Sequence, residues 1–472
     1  MNMIRFGTGG WRAIIADDFT KENIRLLTAG VCAWLRNQGH AGCEICVGYD
    51  RRFLAKEAAH WIAEVLVAGG FRVLMTSRSS PTPQIMFTVQ QKALELGMMV
   101  TASHNPAIYN GVKIIVKGGR DADVQVTQAI EHCIDALNPE DVLSIDYDEA
   151  LSAGLIREEL NKNAYIDSIL SRIDTEAIRR REIKIAIDPL FGVSQISLST
   201  ILLTCRCNVE VIHGNHDTLF GGKMPAPNMQ TLTPLSHYVT DSHCDLGIAT
   251  DGDADRIGVI DESGRYVSAN ELICLLYYYL VKYKGWKGAC VRNNSTTHLL
   301  DRIAEGLGQQ CYEVPVGFKY VSAKMSETDA VIGGESSGGF TVKGHIAGKD
   351  GIYAAALLTE MVAVTEKPIS ALYREITEQF GSLAFCEADF RMTAARKEEL
   401  KHLIFEDNFL PEFGTVISRV NREDGVKTVF ADDSWVICRF SGTEPLLRMA
   451  AEAEEETIAQ KYIDAWRNAL EL

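Results

Sequence analysis

The chain lacks an apolar run long enough to cross a membrane. Its most apolar stretches, residues 271–281 and 353–364, are too short for a transmembrane helix and are predicted to be buried helices. Residues 1–7 also lack the long apolar region of a signal peptide. We therefore expect a soluble cytoplasmic protein that does not bind membranes.

An excess of basic residues is also missing. The 472 residues include 47 Lys and Arg against 63 Asp and Glu, a formal net charge of -16. Nucleic acids and anionic membranes bind through clustered Lys and Arg, so both are disfavoured as partners. A small anionic substrate is compatible with this charge, because a few basic side chains can still be grouped locally.

Paired cysteine motifs are scarce. The 12 cysteines have no repeated spacing, which is typical of reduced thiols in a cytoplasmic protein. Cys43 and Cys46 have the C-x-x-C spacing, but they lie in a strand pattern that places them on opposite faces. No second pair completes a zinc site, so we expect inert thiols.

Two alternating patterns predict the fold class. Short apolar or β-branched runs alternate with longer segments of helical period, which is typical of α/β units with parallel strands. Thr20 is predicted to cap a first helix whose residues Ile24, Leu27 and Val31 share one face. After residue 367, hairpin-like turns indicate antiparallel strands in an α+β unit.

The length exceeds what one hydrophobic core usually serves, so we predict several domains. We expect three similar α/β domains with mixed sheets, the third starting with a strand at 256–260, and a different fourth α+β domain. The predicted boundaries are 1–150, 151–255, 256–366 and 367–472.

A serine follows a predicted strand in the segment Thr101-Ala102-Ser103-His104-Asn105-Pro106. This position exposes a hydroxyl at the carboxyl end of a strand, where α/β proteins build their sites. A serine hydroxyl is a poor nucleophile, but a phosphorylated serine beside a metal is a good phosphoryl donor. Taken alone, the segment would be read as a turn that ends a strand.

Three carboxylates, Asp251, Asp253 and Asp255, alternate with Gly and Ala in a second segment. An extended or looped backbone places them on one side, where their hard oxygens suit Mg²⁺ or Mn²⁺. Three alternatives compete with this interpretation: a calcium loop, an aspartyl phosphotransferase motif with Asp253 phosphorylated, and a solvated acidic turn. The calcium loop is disfavoured by Arg256 at its sixth position, and the separate serine favours a metal loop over the other two.

Further segments could bind a phosphorylated sugar. Residues 7–12 join a glycine-rich turn to Arg12, and residues 439–448 offer two guanidiniums, hydroxyls and a glycine for an anion. Residues 333–339 place Glu335 among small residues, where a carboxylate can accept from two sugar hydroxyls. Lys113 and Lys319 are ambiguous individually.

These segments together resemble the α-D-phosphohexomutase family, which includes phosphoglucomutases and phosphomannomutases. The matching motifs occur in order at residues 7–12, 101–113, 251–256, 315–320, 333–338 and 439–448. The resemblance implies four domains around a deep central cleft, a phosphoserine and one bound Mg²⁺. It also implies sugar phosphates as substrates and a hexose 1,6-bisphosphate as intermediate and activator, in a monomer or homodimer.

The resemblance assigns the reacting centre residue by residue. Ser103 would be the phosphorylated serine, and a phosphoserine oxygen would bind the metal together with Asp251, Asp253 and Asp255. The residues expected around the phosphoryl group in transfer are Arg12, His104 and Lys113, with Lys113 assisting proton transfer.

The resemblance also assigns the substrate contacts. Glu335 and Ser337 would contact sugar hydroxyls, with Arg256 and Lys319 nearby. The loop expected to hold the phosphate that is not being transferred contains Arg439, Ser441, Gly442, Thr443 and Arg448. Because water must be excluded from the phosphoserine and the bisphosphate, we expect the fourth domain to close over the substrate.

Two positions depart from the family pattern. Many bacterial members have His after the G-E-x-S-G motif where this chain has Gly339, and glucosamine-directed members usually have Ile where Trp11 stands. Both features disfavour an amino sugar, so glucose phosphates are the expected substrates and mannose phosphates the alternative. The rivals from other classes are an aspartyl phosphatase and a sugar-phosphate sensor without turnover.

Overall fold

A computed structural model describes residues 4–7, 9–159, 161–441 and 446–472. They form four units, each built on its own β-sheet. No helix among these residues is both long and apolar enough to span a bilayer.

The first unit contains a seven-stranded mixed sheet with five helices. Its elements are β1 (Trp11–Ile14), α1 (Lys21–Asn37), β2 (Glu44–Tyr49), α2 (Ala55–Ala68), β3 (Arg72–Thr76), α3 (Thr82–Gln91), β4 (Leu96–Val100), β5 (Tyr109–Val116), β6 (Arg120–Asp121), α4 (Val124–Asp135), α5 (Tyr147–Ser152) and β7 (Ile156–Glu159). The strand order is β1-β5-β4-β2-β3-β7, and β6 pairs with β5.

Helix α1 begins and packs as its sequence predicts. The Thr20 side chain accepts a hydrogen bond from the Asn23 amide and so caps the helix. Ile24, Leu27 and Val31 are fully buried in the core of the first unit.

The second unit contains a five-stranded mixed sheet. Its elements are α6 (Lys162–Leu170), α7 (Thr175–Arg179), β8 (Lys184–Asp188), α8 (Gln195–Thr204), β9 (Asn208–Val211), α9 (Thr233–Asp241), β10 (Leu246–Thr250), β11 (Ile257–Ile260) and β12 (Tyr266–Val267). The strand order is β12-β11-β10-β8-β9, with β8 parallel to β9 and β10, and β10 antiparallel to β11.

The third unit repeats this plan with four strands. Its elements are α10 (Ala269–Tyr278), β13 (Cys290–Asn293), α11 (Leu299–Gly306), β14 (Cys311–Val314), α12 (Phe318–Thr328), β15 (Ile332–Gly334), β16 (Phe340–Val342), α13 (Gly351–Thr365) and α14 (Ile369–Phe380). The order is β14-β13-β15-β16, with only the last pair antiparallel.

The fourth unit is an antiparallel α+β layer. Its elements are β17 (Ala384–Arg391), α15 (Ala394–Lys401), β18 (Ile417–Asn421), β19 (Val426–Phe430), β20 (Trp435–Phe440), β21 (Leu446–Ala453) and α16 (Glu456–Ala469). The order is β17-β21-β20-β19-β18. Tyr462, Ile463 and Trp466 of α16 are buried in the core of this unit.

The structure confirms the predicted fold class of three mixed α/β units and a different α+β unit. The predicted strand at 256–260 was assigned to the wrong unit, because β11 folds back on β10 and belongs to the second sheet. Strand β7 likewise pairs with β3 in the first sheet, and α14 contributes Ile369 and Leu372 to the core that contains α10. The first two sheets and the core that contains α10 therefore extend past the predicted boundaries at 150, 255 and 366.

Candidate active site

Ser103 lies in the loop between β4 and β5, at the carboxyl end of β4. Its backbone has a φ of 52°, a left-handed conformation that is uncommon for a residue with a side chain. The Ser103 amide donates a hydrogen bond to Thr101 Oγ1 at 2.8 Å, which helps to hold this conformation. Ser103 is 1% exposed, so its side chain lies inside the molecule, away from bulk solvent.

The three aspartates lie in the loop between β10 and β11, the corresponding position of the second unit. All three are fully buried, and each offers a carboxylate oxygen within 4.8 Å of the others. Ala254 has a φ of 63°, and its amide donates to the Asp251 carbonyl at 3.1 Å. This tight turn brings alternate carboxylates to one point.

The serine and aspartate loops touch each other. Ser103 Oγ donates a hydrogen bond to Asp251 Oδ2 at 2.6 Å. A Cβ atom added to Gly252 would lie 2.8 Å from the Ser103 carbonyl oxygen, so a side chain at this position would force the loops apart. The structure thus places the predicted nucleophile beside the predicted metal ligands.

Cations surround the aspartates. Lys113 on β5 donates to Asp253 Oδ2 at 2.7 Å and to Asp255 Oδ2 at 2.6 Å. Lys349, which the sequence analysis did not identify, places its Nζ 3.1 Å from Asp255 Oδ2. The Arg256 amide donates to Asp251 Oδ1 at 3.1 Å. Two lysines, one from the first unit and one from the third, therefore partly balance the three carboxylates.

Burial and these charges act on the pKa values in opposite directions. Burial raises the pKa of Asp251 well above its usual range, and the charges of Asp253 and Asp255 add to this effect. Burial would also raise the pKa of Asp255, but the charges of Lys113, Lys349 and Arg256 hold it well below its usual range. The site is thus a buried array of closely coupled charges.

The residues present suit a hard divalent cation. The Oδ1 atoms of Asp253 and Asp255 are buried and accept no hydrogen bond from a residue that the structure describes. Arg256 Nε lies 3.9 Å from Asp255 Oδ1, beyond hydrogen-bond distance. Buried carboxylate oxygens that accept no hydrogen bond are costly unless a cation binds them. An all-oxygen donor set fits Mg²⁺ or Mn²⁺ and does not fit a soft metal such as Cu(I).

Two residues that the sequence analysis missed brace the serine loop. Arg52, 3% exposed, donates to the carbonyl oxygens of Ser103, Asn105, Pro106 and Tyr109 at 2.6–2.9 Å. Its Nε lies 3.4 Å from Asp50 Oδ2.

Asp50 in turn holds the start of the serine loop. Its Oδ2 accepts a hydrogen bond from Thr101 Oγ1 at 2.6 Å. Burial raises the pKa of Asp50 to about 6, although the charge of Arg52 opposes this shift. The ion pair of Asp50 and Arg52 therefore holds the backbone of the serine loop in place.

A third missed residue, Thr82, braces the aspartate loop. Its Oγ1 donates to Asp253 Oδ2 at 2.6 Å, and its amide donates to the Asp253 carbonyl at 2.9 Å. Thr82 is the first residue of α3, so the first unit fixes a ligand residue of the second.

The predicted catalytic residues Arg12 and His104 flank Ser103. Arg12 donates to Asn105 Oδ1 at 2.6 Å, and His104 Nδ1 lies 3.3 Å from Ser103 Oγ. Burial and the charges of Arg256 and Arg12 lower the pKa of His104 well below its usual value, so the imidazole is neutral near pH 7. Both side chains can offer hydrogen bonds to an anion on Ser103.

The predicted sugar loop connects β15 and β16. Glu335 Oε1 accepts hydrogen bonds from Asn293 Nδ2 and the Gly317 amide, both at 3.0 Å. Ser337 is exposed, and the Gly338 carbonyl accepts from the Ile257 amide at 3.0 Å. Because Ile257 closely follows Asp255, the sugar loop lies directly against the aspartate loop.

Lys319 lies at the start of α12 beside a cavity of about 360 Å³. The cavity is lined from the first unit by Arg120 and Asp121 and from the third by Phe318 and Tyr320. Burial lowers the pKa of Lys319. This lysine is thus at a boundary between units, as a cleft residue would be.

The predicted phosphate loop lies between β20 and β21. Arg439 Nε donates to Asp424 Oδ1 at 2.8 Å, while Arg448 is 54% exposed with its Nε 3.8 Å from Asp389. The Ser441 carbonyl accepts from Lys397 Nζ at 2.7 Å. Gly442 and Thr443 lie outside the described residues.

Contacts therefore connect Ser103, Lys113 and the aspartates directly, and Gly338 and Lys349 join them to the sugar loop. Such a centre can hold a phosphoryl group on an alcohol, neutralise it with a cation and present it to a sugar hydroxyl.

The phosphoglucomutase/phosphomannomutase family matches the chain along most of its length. Its alpha/beta/alpha domains I, II and III match residues 3–141, 163–264 and 268–380, and its C-terminal domain matches residues 392–469.

Individual relatives are similar over the whole chain. The phosphoglucomutase/phosphomannomutase of Thermococcus kodakarensis is 29% identical over 99% of this chain and 98% of the relative. The phosphoglucosamine/phosphogalactosamine mutase of Sulfurisphaera tokodaii is 28% identical over 99% of each chain.

Solved structures share the fold. A Thermus thermophilus protein provisionally named phosphomannomutase superimposes with a TM-score of 0.86 at 28% identity, covering 100% of this chain and 99% of that chain. The Aspergillus fumigatus N-acetylphosphoglucosamine mutase, solved with GlcNAc-6P and magnesium, has a TM-score of 0.60 at 14% identity, covering 99% and 96%. The chain belongs to the phosphoglucomutase/phosphomannomutase family of α-D-phosphohexomutases and is an intramolecular phosphotransferase.

Proposed function

We propose that this enzyme interconverts glucose 1-phosphate and glucose 6-phosphate through a phosphorylated Ser103 and a glucose 1,6-bisphosphate. The observation that carries the proposal is the 2.6 Å contact between Ser103 Oγ and Asp251 Oδ2 within a buried carboxylate trio. A rigid site cannot pass a phosphate from one end of a hexose to the other. An enzyme-bound phosphate solves this problem, because it can be given to one hydroxyl and recovered from another.

The transfer begins with the phosphate on Ser103 Oγ. The O–P bond of the phosphoserine breaks as the free hydroxyl of the hexose phosphate forms a new O–P bond, and the proton that this hydroxyl loses is passed to Ser103 Oγ, so that the serine is released as its free hydroxyl. Lys113, Arg12 and His104 surround this point, and we assign to them the stabilisation of the charge on the phosphoryl group. Lys113 is also the candidate for assisting the proton transfer.

Asp251, Asp253 and Asp255 would hold one Mg²⁺, together with an oxygen of the Ser103 phosphate. When bound, the cation would neutralise charge on the phosphoryl group. The protein supplies the remaining positive charge from Lys113, Lys349 and Arg256.

The sugar must be held similarly in two orientations, because each of its ends reacts in turn. Glu335 and Ser337 are assigned to sugar hydroxyls, with Arg256 and Lys319 nearby. The phosphate not undergoing transfer is assigned to the loop containing Arg439, Ser441, Gly442, Thr443 and Arg448.

The proposed preference for glucose over amino sugars is based on Gly339. A Cβ atom at this position would lie 2.3 Å from Lys349 Cδ, so the lysine occupies the space that a larger residue would need. Trp11 is 4% exposed and stacks on Phe19 with ring centroids 5.8 Å apart, so its indole belongs to the core of the first unit. Gly339 and Lys349 are thus better placed than Trp11 to affect the preference for glucose over amino sugars.

We further propose four domains that follow the sheets, with boundaries near residues 160, 268 and 381. The strand pairing and the helix packing described above support these positions. Three of the domains then contribute to the reacting centre, and the fourth contributes the phosphate loop.

Replacing Ser103 tests the proposal. In a coupled assay for glucose 6-phosphate, the wild type should be activated by glucose 1,6-bisphosphate, and Ser103→Ala should lose activity by several orders of magnitude. Ser171→Ala, at an exposed serine, is the control. A fully active Ser103→Ala enzyme would refute the proposal. If mannose or glucosamine phosphates were turned over faster than glucose phosphates, the proposed substrate would be wrong.

The chemical stability of the enzyme-bound phosphate distinguishes the proposed mutase from the alternative of an aspartyl phosphatase. Asp253 Oδ2 already accepts hydrogen bonds from Thr82 and Lys113, which makes this oxygen a poor nucleophile. A phosphoserine is base-labile and acid-stable, whereas an aspartyl phosphate is cleaved by hydroxylamine. The absence of any turnover would favour the sensor.

A further inference from the structure

Asp424 joins two loops that belong to different units. It lies in the turn between β18 and β19 of the fourth unit. Its Oδ1 accepts the hydrogen bond from Arg439 Nε at 2.8 Å, and its Oδ2 accepts one from the Val316 amide of the third unit at 2.7 Å. One carboxylate therefore fixes an arginine of the phosphate loop against the segment that precedes α12.

The same segment of the third unit also holds Glu335. The Val316 amide donates to Asp424, and the next amide, that of Gly317, donates to Glu335 Oε1 at 3.0 Å. Of these two adjacent amides, that of Gly317 thus binds the carboxylate assigned to the sugar, and that of Val316 binds the carboxylate that holds Arg439. A short, continuous path of hydrogen bonds connects the two parts of the substrate site.

The turn that carries Asp424 is itself anchored on the third sheet. Asn294 Nδ2, just beyond β13, donates to the Asp424 carbonyl at 3.3 Å. Lys427 on β19 places its Nζ 2.6 Å from Glu313 Oε2 on β14. The position of the Asp424 carboxylate is therefore set by the ends of β13 and β14.

The hydrogen-bonding capacity of arginine explains how this arrangement would assist phosphate binding. A guanidinium has five N–H donors, and Asp424 engages the one on Nε, which leaves the four on Nη1 and Nη2 for the oxygens of an anion such as phosphate. An arginine already oriented loses less conformational freedom when it binds. The side chain of Arg448 is 54% exposed and 3.8 Å from Asp389, and no residue that the structure describes accepts a comparable hydrogen bond from it.

We propose that Asp424 is a positioning residue for the phosphate that is not being transferred. It orients Arg439 relative to the sugar loop, so that one hexose phosphate contacts both. The proposal rests on the proposed function, because it takes a phosphorylated hexose as the ligand.

The first test measures binding and turnover in Asp424→Asn. Arg439 and Val316 donate to different oxygens of Asp424, and an asparagine replaces one of these oxygens with an NH2 group that cannot accept. Calorimetry with glucose 6-phosphate should show a dissociation constant about tenfold higher than in the wild type, and KM should rise similarly while kcat changes less than about threefold. Glu423→Gln, which removes the same charge from the exposed neighbour, should bind as the wild type does.

The second test measures coupling to Arg439. In an Arg439→Ala background, Asp424→Asn should cause no further loss of affinity, because the residue that it positions is absent. If Asp424→Asn binds as tightly as the wild type, or if the two losses simply add, the proposal is overturned. If the wild type turns over no hexose phosphate, the proposed function fails instead, and the two failures are therefore distinct.

Discussion

At the scale of single residues, Thr82 shows how one hydroxyl connects two units. It donates to Asp253 Oδ2, the same oxygen that Lys113 contacts at 2.7 Å. The hydroxyl therefore fixes the orientation of the carboxylate, and a carboxylate held in place by an outer partner binds a metal more tightly.

We expect Thr82→Val, which keeps the shape and removes the hydroxyl, to weaken Mg²⁺ binding about 10- to 100-fold. Calorimetric titration with Mg²⁺ measures this directly, and the Mg²⁺ concentration for half-maximal turnover should rise in parallel. Thr82→Ser keeps the donor and is the matched control. An unchanged Mg²⁺ affinity in the valine variant would show that the hydroxyl is not needed.

Gly339 provides a second prediction at this scale. A methyl group there must displace the Lys349 side chain, whose Nζ lies 3.1 Å from Asp255 Oδ2. Because a flexible side chain can move, we expect Gly339→Ala to change the free energy of unfolding by less than about 1 kcal/mol. We expect kcat/KM to fall about tenfold, equal to about 1.4 kcal/mol.

A double variant identifies the cause of that loss. If Gly339→Ala acts by moving the lysine, it should cost nothing more once Lys349→Ala is present. Steady-state kinetics of the two single variants and the double variant give this comparison. Equal losses in both backgrounds would mean that the methyl group disturbs the sugar loop itself.

The sequence pointed to the chemistry of the site but not to its supports. Ser103 and the three aspartates could be recognised because their spacing carries a chemical meaning within a few residues. Arg52, Thr82 and Lys349 carry no such local pattern. These residues acquire their contacts only when folding brings β4, β10 and α13 together. A contact between segments that are distant in the chain cannot be recognised from the local sequence of either segment.

At the scale of elements, the four loops assigned to the site have one kind of connection in common. Each connects two antiparallel strands, namely β4 with β5, β10 with β11, β15 with β16, and β20 with β21. The loops after β4, β10 and β15 emerge where a parallel strand turns back, which puts their polar residues at the carboxyl ends of the strands. The shared position of these three loops brings the polar residues of separate units to corresponding edges of their sheets.

The sequence predicted several elements but placed one strand in the wrong unit. Apolar runs revealed α10 and α13, because a buried element must be apolar whichever neighbour it has. Pairing partners are not encoded in such a run, so β11 was assigned to the third unit instead of the second. The return strand of a hairpin resembles the first strand of a new domain.

Between the third and fourth units, His298 makes stability depend on pH. Burial lowers the pKa of His298 to about 4, and the nearby charges of Arg292 and Lys427 act in the same direction, while Glu313 and Asp301 oppose them. Its Nε2 lies 2.9 Å from Lys427 Nζ, so the neutral imidazole can accept a hydrogen bond.

The unfolded chain binds a proton at His298 near pH 6.5, whereas the folded chain does so only near pH 4. Stability is therefore lost as the pH falls through this range. From pH 7 to pH 5 this residue should cost about 2 kcal/mol. Urea unfolding at both pH values should show His298→Gln losing about that much less stability than the wild type.

The exposed His402 is the matched control, since its side chain is 62% exposed. His402→Gln should follow the wild type at both pH values. If His298→Gln and the wild type lose the same stability on acidification, the titrating group lies elsewhere.

At the scale of the whole molecule, the units form a connected series. The serine and aspartate loops join the first unit to the second, Lys349 and Gly338 join the third to the second, and Asp424 and Lys427 join the fourth to the third. The phosphate loop is therefore linked to the reacting centre mainly through the third unit, and a rotation of the fourth unit about that contact would move the loop relative to the centre.

We expect a ligand with two phosphates to draw the fourth unit towards the reacting centre, because one phosphate binds beside the aspartates and the other in the phosphate loop. A compact chain of this length has a radius of gyration of about 23 Å. Small-angle scattering of Ser103→Ala should show a decrease of a few per cent on saturation with glucose 1,6-bisphosphate. Glucose, which lacks phosphates, should leave the scattering curve unchanged.

A variant at the phosphate loop separates closure from simple binding. In Ser103→Ala combined with Arg439→Ala, the ligand can still bind at the aspartates, but the link to the fourth unit is weakened. At ligand concentrations that saturate both proteins, only the enzyme with Arg439 should contract. Identical contraction in both would place the moving contact elsewhere, and no contraction in either would mean that the cleft is already closed before the sugar phosphate arrives.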